Sequence, residues 1–240
     1  MIAVKATDEP PRQVLLASRS PRRLTLLRAA GLQVQILPAD VDEVWPGGEP
    51  GAAVVALAQL KLDHVAAQLA GVQPVQPSPE VAAATAGKQQ AQRETHATAA
   101  QPDGSKSPLM LLAADTMVVL DGMPLGKPAQ AAAACATLRR LSGRTHHVWT
   151  GFSLSYEAQQ AKGSVCTEVR FRSLSDAEIS AYVATGESLD KAGAYGIQGA
   201  GCALVDRVNG SYTNVVGLPL QEVLQAMQRL WQQAPEPQHG

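Results

Sequence analysis

Residues 15–28 read LLASRSPRRLTLLR, an apolar strand that passes through a short turn of small residues directly into a helix. Ser20 is a strong helix N-cap residue, and Pro21 suits the first helical position, where its missing N–H leaves no hydrogen bond unmade. These two residues fix the point at which the helix begins. Any fold of this chain must therefore include a strand that turns into a helix here.

The first turn of that helix carries two arginines, Arg22 and Arg23, where added cations are unfavourable by about 0.3–1 kcal/mol each. A polyanionic ligand such as a phosphate chain would use the free N–H groups, the helix dipole and both guanidinium groups together. In the alternative interpretation, both arginines are solvated and pair with nearby carboxylates. The sequence therefore predicts an anion site at this turn, with carboxylate pairing as the alternative.

The composition makes nucleic acid and membranes poor partners for this chain. Its 240 residues are 45% apolar, which is ample for a packed core, but only 17% are charged and the formal net charge is −1. The three tryptophans are too scattered along the chain to form a stacking platform for single-stranded nucleic acid. We therefore expect no nucleic acid or membrane partner, and phosphate recognition must be local.

Cysteine usage and the N-terminus both indicate a cytoplasmic protein. Cys135, Cys166 and Cys202 are odd in number, far apart and without Cys-x-x-Cys spacing, so they indicate neither a disulfide framework nor a zinc site. Residues 1–13 lack the apolar stretch of a secretory signal peptide. We expect cytoplasmic localisation, with a short organellar targeting peptide as the alternative.

Hydrophobic periodicity and turn signals predict helices and strands in alternation with hairpins. This mixture indicates an α/β protein with a mixed twisted sheet and flanking helices. The predicted elements are a first helix ending near Gly31, a strand at 32–41 leading to Asp42 and Glu43, helices at 52–69 and 129–141, strands at 109–120, 145–156 and 165–171, a capping box at 175–178, a hairpin at 202–216 and a closing helix from Pro219.

Between 72 and 108 the chain consists mainly of Ala, Gln, Pro, Ser and Thr, with no periodicity. Such a composition cannot bury enough apolar surface to offset the entropy of ordering. We predict a disordered low-complexity segment at 73–107 and flexible termini at 1–13 and 232–240.

Asp115 interrupts the otherwise apolar run at 109–120. An unpaired carboxylate in a buried strand costs several kcal/mol, on the order of 3–5, so something must compensate for it. It is either a buried aspartate that is hydrogen-bonded for structural reasons or, beside a lysine and a metal ion, a general base that deprotonates an attacking water.

The histidine pair at 146 and 147 lies in a predicted strand, so the two rings point to opposite faces. They cannot jointly bind one metal ion, and we interpret both as structural. The sequence also lacks a P-loop and a Rossmann fingerprint, which removes most of the support for a kinase or a dehydrogenase.

Six segments, in the same order along the chain, resemble the conserved blocks of the Maf family of nucleoside triphosphate pyrophosphatases. The resemblance covers residues 14 to about 231 on both sides of the segment at 73–107, and therefore implies one domain over 14–231 with that segment as an insertion. It also implies the family's elongated sheet with flanking helical lobes around a central cleft, as in the related inosine triphosphatases. The six segments are SRSPRR with LTLL, ADTMVV at 114–119, GKP at 126–128, LSG at 141–143 with His146 and Val148, DKAGAYGIQG at 190–199, and NGS at 209–211 with VVGLPL at 215–220.

This resemblance implies a house-cleaning hydrolase that converts a nucleoside triphosphate to the monophosphate and pyrophosphate. It implies Asp115 as the catalytic proton acceptor and Glu43, with Asp42 as a second candidate, as ligands of Mg²⁺ or a similar divalent cation such as Mn²⁺. The substrate-binding residues that it implies are Ser18, Arg22, Arg23, Lys61, Thr116, Lys127, Lys191 and Gln198. Taken singly, the lysines and Glu43 would be interpreted as solvated surface residues.

The DKAGAYGIQG segment resembles the branch of the family that acts on dTTP and UTP. In that branch, residues that match Arg22, Thr116 and Gln198 set the base specificity. The amide of Gln198 offers a donor and an acceptor, which suits the edge of a pyrimidine ring, although it could also be an ordinary polar loop residue.

Two other functions stay open at this point. One is a non-catalytic nucleotide-sensing regulator of cell division or septum formation, a process with which the family is associated. The other is a purine pyrophosphatase of the inosine triphosphatase superfamily, which shares the architecture but lacks the SPRR and DKAGAYGIQG segments. The resemblance also implies a homodimer.

Overall fold

The computed structural model describes residues 12–71 and 109–234. Its strands are β1 (Gln13–Leu16), β2 (Gln33–Ile36), β3 (Met110–Leu120), β4 (Met123–Leu125), β5 (Thr145–Tyr156), β6 (Gln159–Phe171) and β7 (Val205–Asn209). Its α-helices are α1 (Pro21–Ala29), α2 (Pro50–Leu69), α3 (Ala131–Leu141), α4 (Asp176–Ala184), α5 (Tyr212–Val216) and α6 (Leu220–Gln233), and two 3-10 segments span Ala192–Ala194 and Gly199–Leu204.

The strands form one mixed sheet in the order β2-β1-β3-β5-β6-β7, with β4 paired to β3. β1 runs parallel to β2 and β3, whereas β4, β5, β6 and β7 join by antiparallel pairing. The predicted α/β class with a mixed sheet and flanking helices is confirmed.

One edge of β3 is left open in the middle of the strand. β1 pairs with β3 at residues 110–112, and β4 pairs with the same edge at residues 118–120. No other described strand pairs with residues 113–117 on that side. Asp115 and Thr116 lie in this gap, next to the carboxyl end of β1, where α/β sheets commonly bind ligands.

The helices cover both faces of the sheet. On one face, α2 packs Val54 and Leu62 against alternate residues of β1 and β3. On the other face, α1 and α6 cover one end of the sheet, and α3 and α4 cover the opposite end. The open part of β3 therefore lies at the boundary between the two helical groups.

Helix α2 approaches the sheet unusually closely at Gly151 of β5. A Cβ atom at this position would lie only 2.4 Å from the carbonyl carbon of Val54. Gly151 is the direct register partner of Asp115 on the neighbouring strand. The absence of a side chain at Gly151 therefore lets α2 reach the part of the sheet that holds Asp115.

The predicted hairpin at 202–216 is wrong. Residues 199–204 form a 3-10 segment, β7 pairs with β6, and residues 212–216 are helix α5. Ser211 caps this helix because its side chain accepts a hydrogen bond from the Asn214 N–H, and the buried Asn214 amide donates to Val148 and Thr167. These local and tertiary bonds outweigh the strand propensity of the two valines in this helix.

Other boundaries differ by smaller amounts. The strand predicted at 32–41 is only Gln33–Ile36, so Glu43 lies in a loop beyond the strand. β6 begins at Gln159 because this residue pairs directly with Tyr156 across a tight turn. β1 begins at Gln13 and α6 ends at Gln233, so these two elements extend slightly beyond the predicted range of 14–231. The insertion predicted at 73–107 lies outside the described residues.

Two predicted local features are confirmed, the Ser20 cap of α1 and the Ser175–Glu178 capping box of α4. None of the helices in the described parts of the chain has the length and apolar character needed to cross a membrane.

Candidate active site

A cleft of about 670 Å³ opens over the unpaired edge of β3. It is lined by the turn that follows β1, the loop before α2, the middle of β3 and the loop between α4 and β7. The structure brings all of the predicted site residues into this cleft: Ser18, Arg22, Arg23, Asp42, Glu43, Lys61, Asp115, Thr116, Lys127, Lys191 and Gln198.

At the floor of the cleft, Asp115 forms a buried ion pair with Lys61 of α2. The two residues are 7% and 6% exposed, and Lys61 Nζ lies 2.5 Å from Asp115 Oδ1. Because a buried carboxylate without a partner is strongly unfavourable, this lysine supplies the compensation that the sequence predicted. Helix α2 therefore packs on the sheet and also supplies a charged side chain, Lys61, to the cleft.

Lys61 also donates to a second carboxylate. Its Nζ lies 2.6 Å from Glu43 Oε1, and Lys127 Nζ lies 3.0 Å from Glu43 Oε2. Partial burial raises the pKa of Glu43, but Lys61 and Lys127 outweigh that effect and lower the pKa to about 2. Glu43 is therefore ionised at neutral pH, and the four side chains form a continuous charged network.

The described residues contain no group of three or more His, Cys, Asp or Glu side chains arranged to hold a metal ion. Glu43 and Asp115 nevertheless share the Lys61 ammonium, so two carboxylates converge on one region of the cleft. Mg²⁺ is commonly bound by one or two carboxylates, with waters and substrate phosphates as its other ligands. The donor set therefore fits a magnesium ion that is shared with a phosphorylated substrate.

The two arginines of α1 have different surroundings. Arg23 is 8% exposed and donates to Gly217 O at 2.8 Å, and to Ser18 Oγ and Thr116 Oγ1 at 3.0 Å. Burial lowers the pKa of its guanidinium. Arg23 therefore links the turn after β1, strand β3 and the end of helix α5. Its position beside Arg22 in the sequence did not reveal this role.

Arg22 is more exposed and lies 3.6 Å from Asp190 across the cleft. Asp190 also accepts from Lys191 Nζ at 2.6 Å. The carboxylate pairing that was the alternative interpretation thus exists for Arg22. Because the pair is solvent-accessible and long, a phosphate can compete for the guanidinium.

We expect Arg22→Ala to weaken nucleoside triphosphate binding about tenfold and nucleoside monophosphate binding about twofold, because the lost fork matches phosphate oxygens. Isothermal titration with UTP and UMP, without divalent cations so that UTP is not hydrolysed, measures both values. Arg28→Ala, at the exposed end of the same helix, is the matched control. Equal losses for the two ligands would contradict a phosphate-binding role.

His146 and His147 point to opposite sides of β5, as the alternation of a strand requires. His146 is fully buried, and its Nε2 lies 2.8 Å from the hydroxyl of Tyr195, whereas His147 is exposed. Burial, with a smaller contribution from His147, lowers the pKa of His146 to about 4. His146 is therefore neutral at neutral pH.

This lowered pKa predicts a loss of stability in acid. Between the unfolded value of about 6.5 and the folded value of about 4, the unfolded chain binds more protons, so the free energy of unfolding falls by about 3 kcal/mol as the pH decreases. Urea unfolding of the native protein and of His146→Phe, from about pH 7 to about pH 4, measures this pH dependence of the free energy of unfolding. A native curve no steeper than that of the variant would contradict the assignment.

The residues that line the cleft but were not predicted as site residues include Arg19, Asp40 and Tyr195. Arg19 could have been found, because it belongs to the same SRSPRR turn as the predicted residues. Tyr195 lies within the DKAGAYGIQG segment, where nothing in the sequence marks it as a cleft residue. Asp40 carries no sequence signal that separates it from an ordinary polar loop residue.

The chain is similar in sequence to a known family and to several named proteins. The sequence model of the family described as "Maf-like protein" matches residues 13–230. A relative from Geobacter metallireducens named dTTP/UTP pyrophosphatase is 39% identical over 223 residues, which cover 91% of this chain and 96% of the relative. Relatives of the same name from Desulfitobacterium hafniense and Moorella thermoacetica are 44% and 42% identical, over 88% of this chain and 82% and 91% of their own lengths. A match of this extent, together with a mixed sheet whose cleft gathers the predicted residues, shows that the chain belongs to the Maf family.

Proposed function

We propose that this protein is a nucleoside triphosphate pyrophosphatase that hydrolyses dTTP and UTP to the monophosphate and pyrophosphate, and so clears these nucleotides or modified forms of them from the pool. The observation that carries the proposal is the buried Asp115–Lys61 pair at the floor of a cleft with six basic side chains: Arg19, Arg22, Arg23, Lys61, Lys127 and Lys191. The names of the relatives support the choice of substrate.

In the reaction we propose, Asp115 orients a water molecule and accepts its proton as the water oxygen attacks the α-phosphorus and forms a bond to it. The bond to pyrophosphate breaks, and pyrophosphate leaves. Lys61 holds the Asp115 carboxylate in place by its 2.5 Å hydrogen bond, so the base needs little reorganisation. Arg22, Lys127 and Lys191 balance the charge of the phosphate chain.

Glu43, with Asp42 as the second candidate beside it, would hold Mg²⁺ or Mn²⁺ together with the phosphates of the substrate. The ion neutralises phosphate charge and polarises the phosphoryl group when bound. Binding of the ion at Glu43 would have to compete with Lys61 and Lys127, which now occupy both carboxylate oxygens.

A panel of nucleoside triphosphates tests this proposal. We expect UTP and dTTP to release pyrophosphate well ahead of CTP, ATP and GTP, and only when Mg²⁺ or Mn²⁺ is present. A native protein that binds UTP without releasing pyrophosphate would favour the nucleotide-sensing regulator instead. The cytoplasmic location and the homodimer expected from the sequence stay predictions.

We expect Gln198→Leu to reduce the preference for UTP over CTP about tenfold while lowering the best rate about threefold or less, because a lost pairing group affects discrimination first. Uracil presents an N–H donor between two carbonyl acceptors, and an amide side chain can pair with that edge. Steady-state kinetics with both substrates measure the ratio. Gln160→Leu, an exposed glutamine on β6, is the control, and an unchanged UTP/CTP ratio in Gln198→Leu would remove Gln198 from base selection.

A further inference from the structure

Tyr195 joins the loop that carries Gln198 to the centre of the sheet. Its side chain lines the cleft, and its hydroxyl points away to His146 Nε2, 2.8 Å distant. Its ring also makes edge contacts with His146 and with Phe171, at centroid distances of 5.4 and 4.7 Å. Both Tyr195 and His146 are almost fully buried. This pair is used by no step of the proposed reaction.

The hydrogen bond is maintained at a cost. Among the described residues, His146 Nδ1 has no hydrogen-bond partner, although it is buried. Leaving such a group unpaired is unfavourable, and a phenylalanine would fill the same space without it. If His146 has a role beyond packing, that role therefore lies in the hydrogen bond between its Nε2 and the Tyr195 hydroxyl.

The position of His146 links it to the cleft. On β5, His146, Val148 and Thr150 lie on one face of the sheet because they alternate along the strand. Val148 lines the cleft, and Thr150 is hydrogen-bonded to Thr116 at 3.0 Å. Strand β5 therefore supports the cleft floor and, through His146, the loop that lines the cleft.

Other bonds fix the same loop, but at other points. The Gly196 N–H donates to the Tyr182 hydroxyl at 3.1 Å, and the Gly193 N–H donates to Gly126 O at 3.2 Å. Both hold backbone atoms. The Tyr195–His146 bond instead holds a side chain of the loop, three residues before Gln198.

We propose that His146 is a positioning residue for base selection, which acts by fixing the Tyr195 hydroxyl and thereby the placement of Gln198 against the pyrimidine edge. The inference rests on the proposed function and extends it from the residue that touches the base to the pair that orients it. Loss of the bond should loosen recognition of the base while leaving Asp115, Lys61 and Glu43 in place, because those residues lie on β3, α2 and the loop before α2.

The test uses Tyr195→Phe, which removes one hydroxyl group and keeps the ring. We expect the ratio of the CMP and UMP dissociation constants, measured by calorimetry, to fall about fivefold, as expected for one misplaced hydrogen-bonding group. Tyr156→Phe is the matched control, because Tyr156 is as buried as Tyr195, lies on β5 like His146, and does not line the cleft. In UTP hydrolysis, we expect Tyr195→Phe to raise KM and to leave kcat within about twofold.

The double variant His146→Phe/Tyr195→Phe separates positioning from stability. Replacing both partners removes the unpaired groups, so the melting temperature should return towards the native value while the CMP/UMP ratio stays low. A native ratio in Tyr195→Phe or in the double variant would overturn the inference. If the native protein hydrolyses UTP normally, that result leaves the proposed function standing, whereas a native protein that binds neither nucleotide contradicts both.

Discussion

Asp115→Asn is expected to lower the rate of UTP hydrolysis about a thousandfold while nucleotide affinity changes about twofold or less, as for loss of a general base. Asparagine keeps the shape of the side chain and still accepts a hydrogen bond from Lys61, but it cannot accept the proton of the attacking water. Lys61 keeps its second partner, Glu43, so the charge of the lysine stays balanced.

Steady-state assays together with titration of the non-reacting product UMP measure the two quantities. Asp121→Asn is the matched control, because Asp121 is also ion-paired, to Arg144 at 2.6 Å, but is exposed in the β3–β4 turn. Asparagine also tolerates the positive φ of 53° at that position. A variant at 115 that keeps most of its rate would make Asp115 a structural residue.

Gly151→Ala is expected to destabilise the protein by about 3 kcal/mol and to reduce UTP hydrolysis about a hundredfold. The added Cβ would lie 2.4 Å from the Val54 carbonyl carbon and 2.5 Å from the Val54 oxygen and the Val55 nitrogen, so the backbone of α2 must move. Because α2 carries Lys61, the shift separates Lys61 from Asp115, the residue opposite Gly151 in the sheet.

Urea unfolding and kinetics at a temperature where the variant is folded measure both effects. Gly126→Ala is the control for stability, because a Cβ there would meet nothing within 4 Å. A stable Gly151→Ala variant with native activity would show that the approach of α2 does not set the geometry of Asp115.

The sequence predicted Asp115 as a site residue because a charged residue in an otherwise apolar strand can be recognised from its immediate neighbours. It could not predict that the partner is Lys61, which lies 54 residues earlier and on the buried face of a helix. The reason for that contact is the missing side chain of Gly151, and glycine in a strand has several explanations before the packing is known.

The different surroundings of Arg22 and Arg23 could not be predicted from the sequence for a related reason. Both stand in the first turn of α1, and only the fold shows that Arg23 turns inward to Gly217 and Thr116. The hairpin at 202–216 failed because the cap of Ser211 and the buried amide of Asn214 decide the local structure. Local propensity predicted the long elements, and long-range hydrogen bonds determined the rest.

The products of UTP hydrolysis test the central claim most directly. Native protein with UTP and Mg²⁺ should yield UMP and pyrophosphate in equal amounts, separated by ion-exchange chromatography, and Asp115→Asn should yield neither above background. Formation of UDP and inorganic phosphate, or UMP release that persists in Asp115→Asn, would contradict the account.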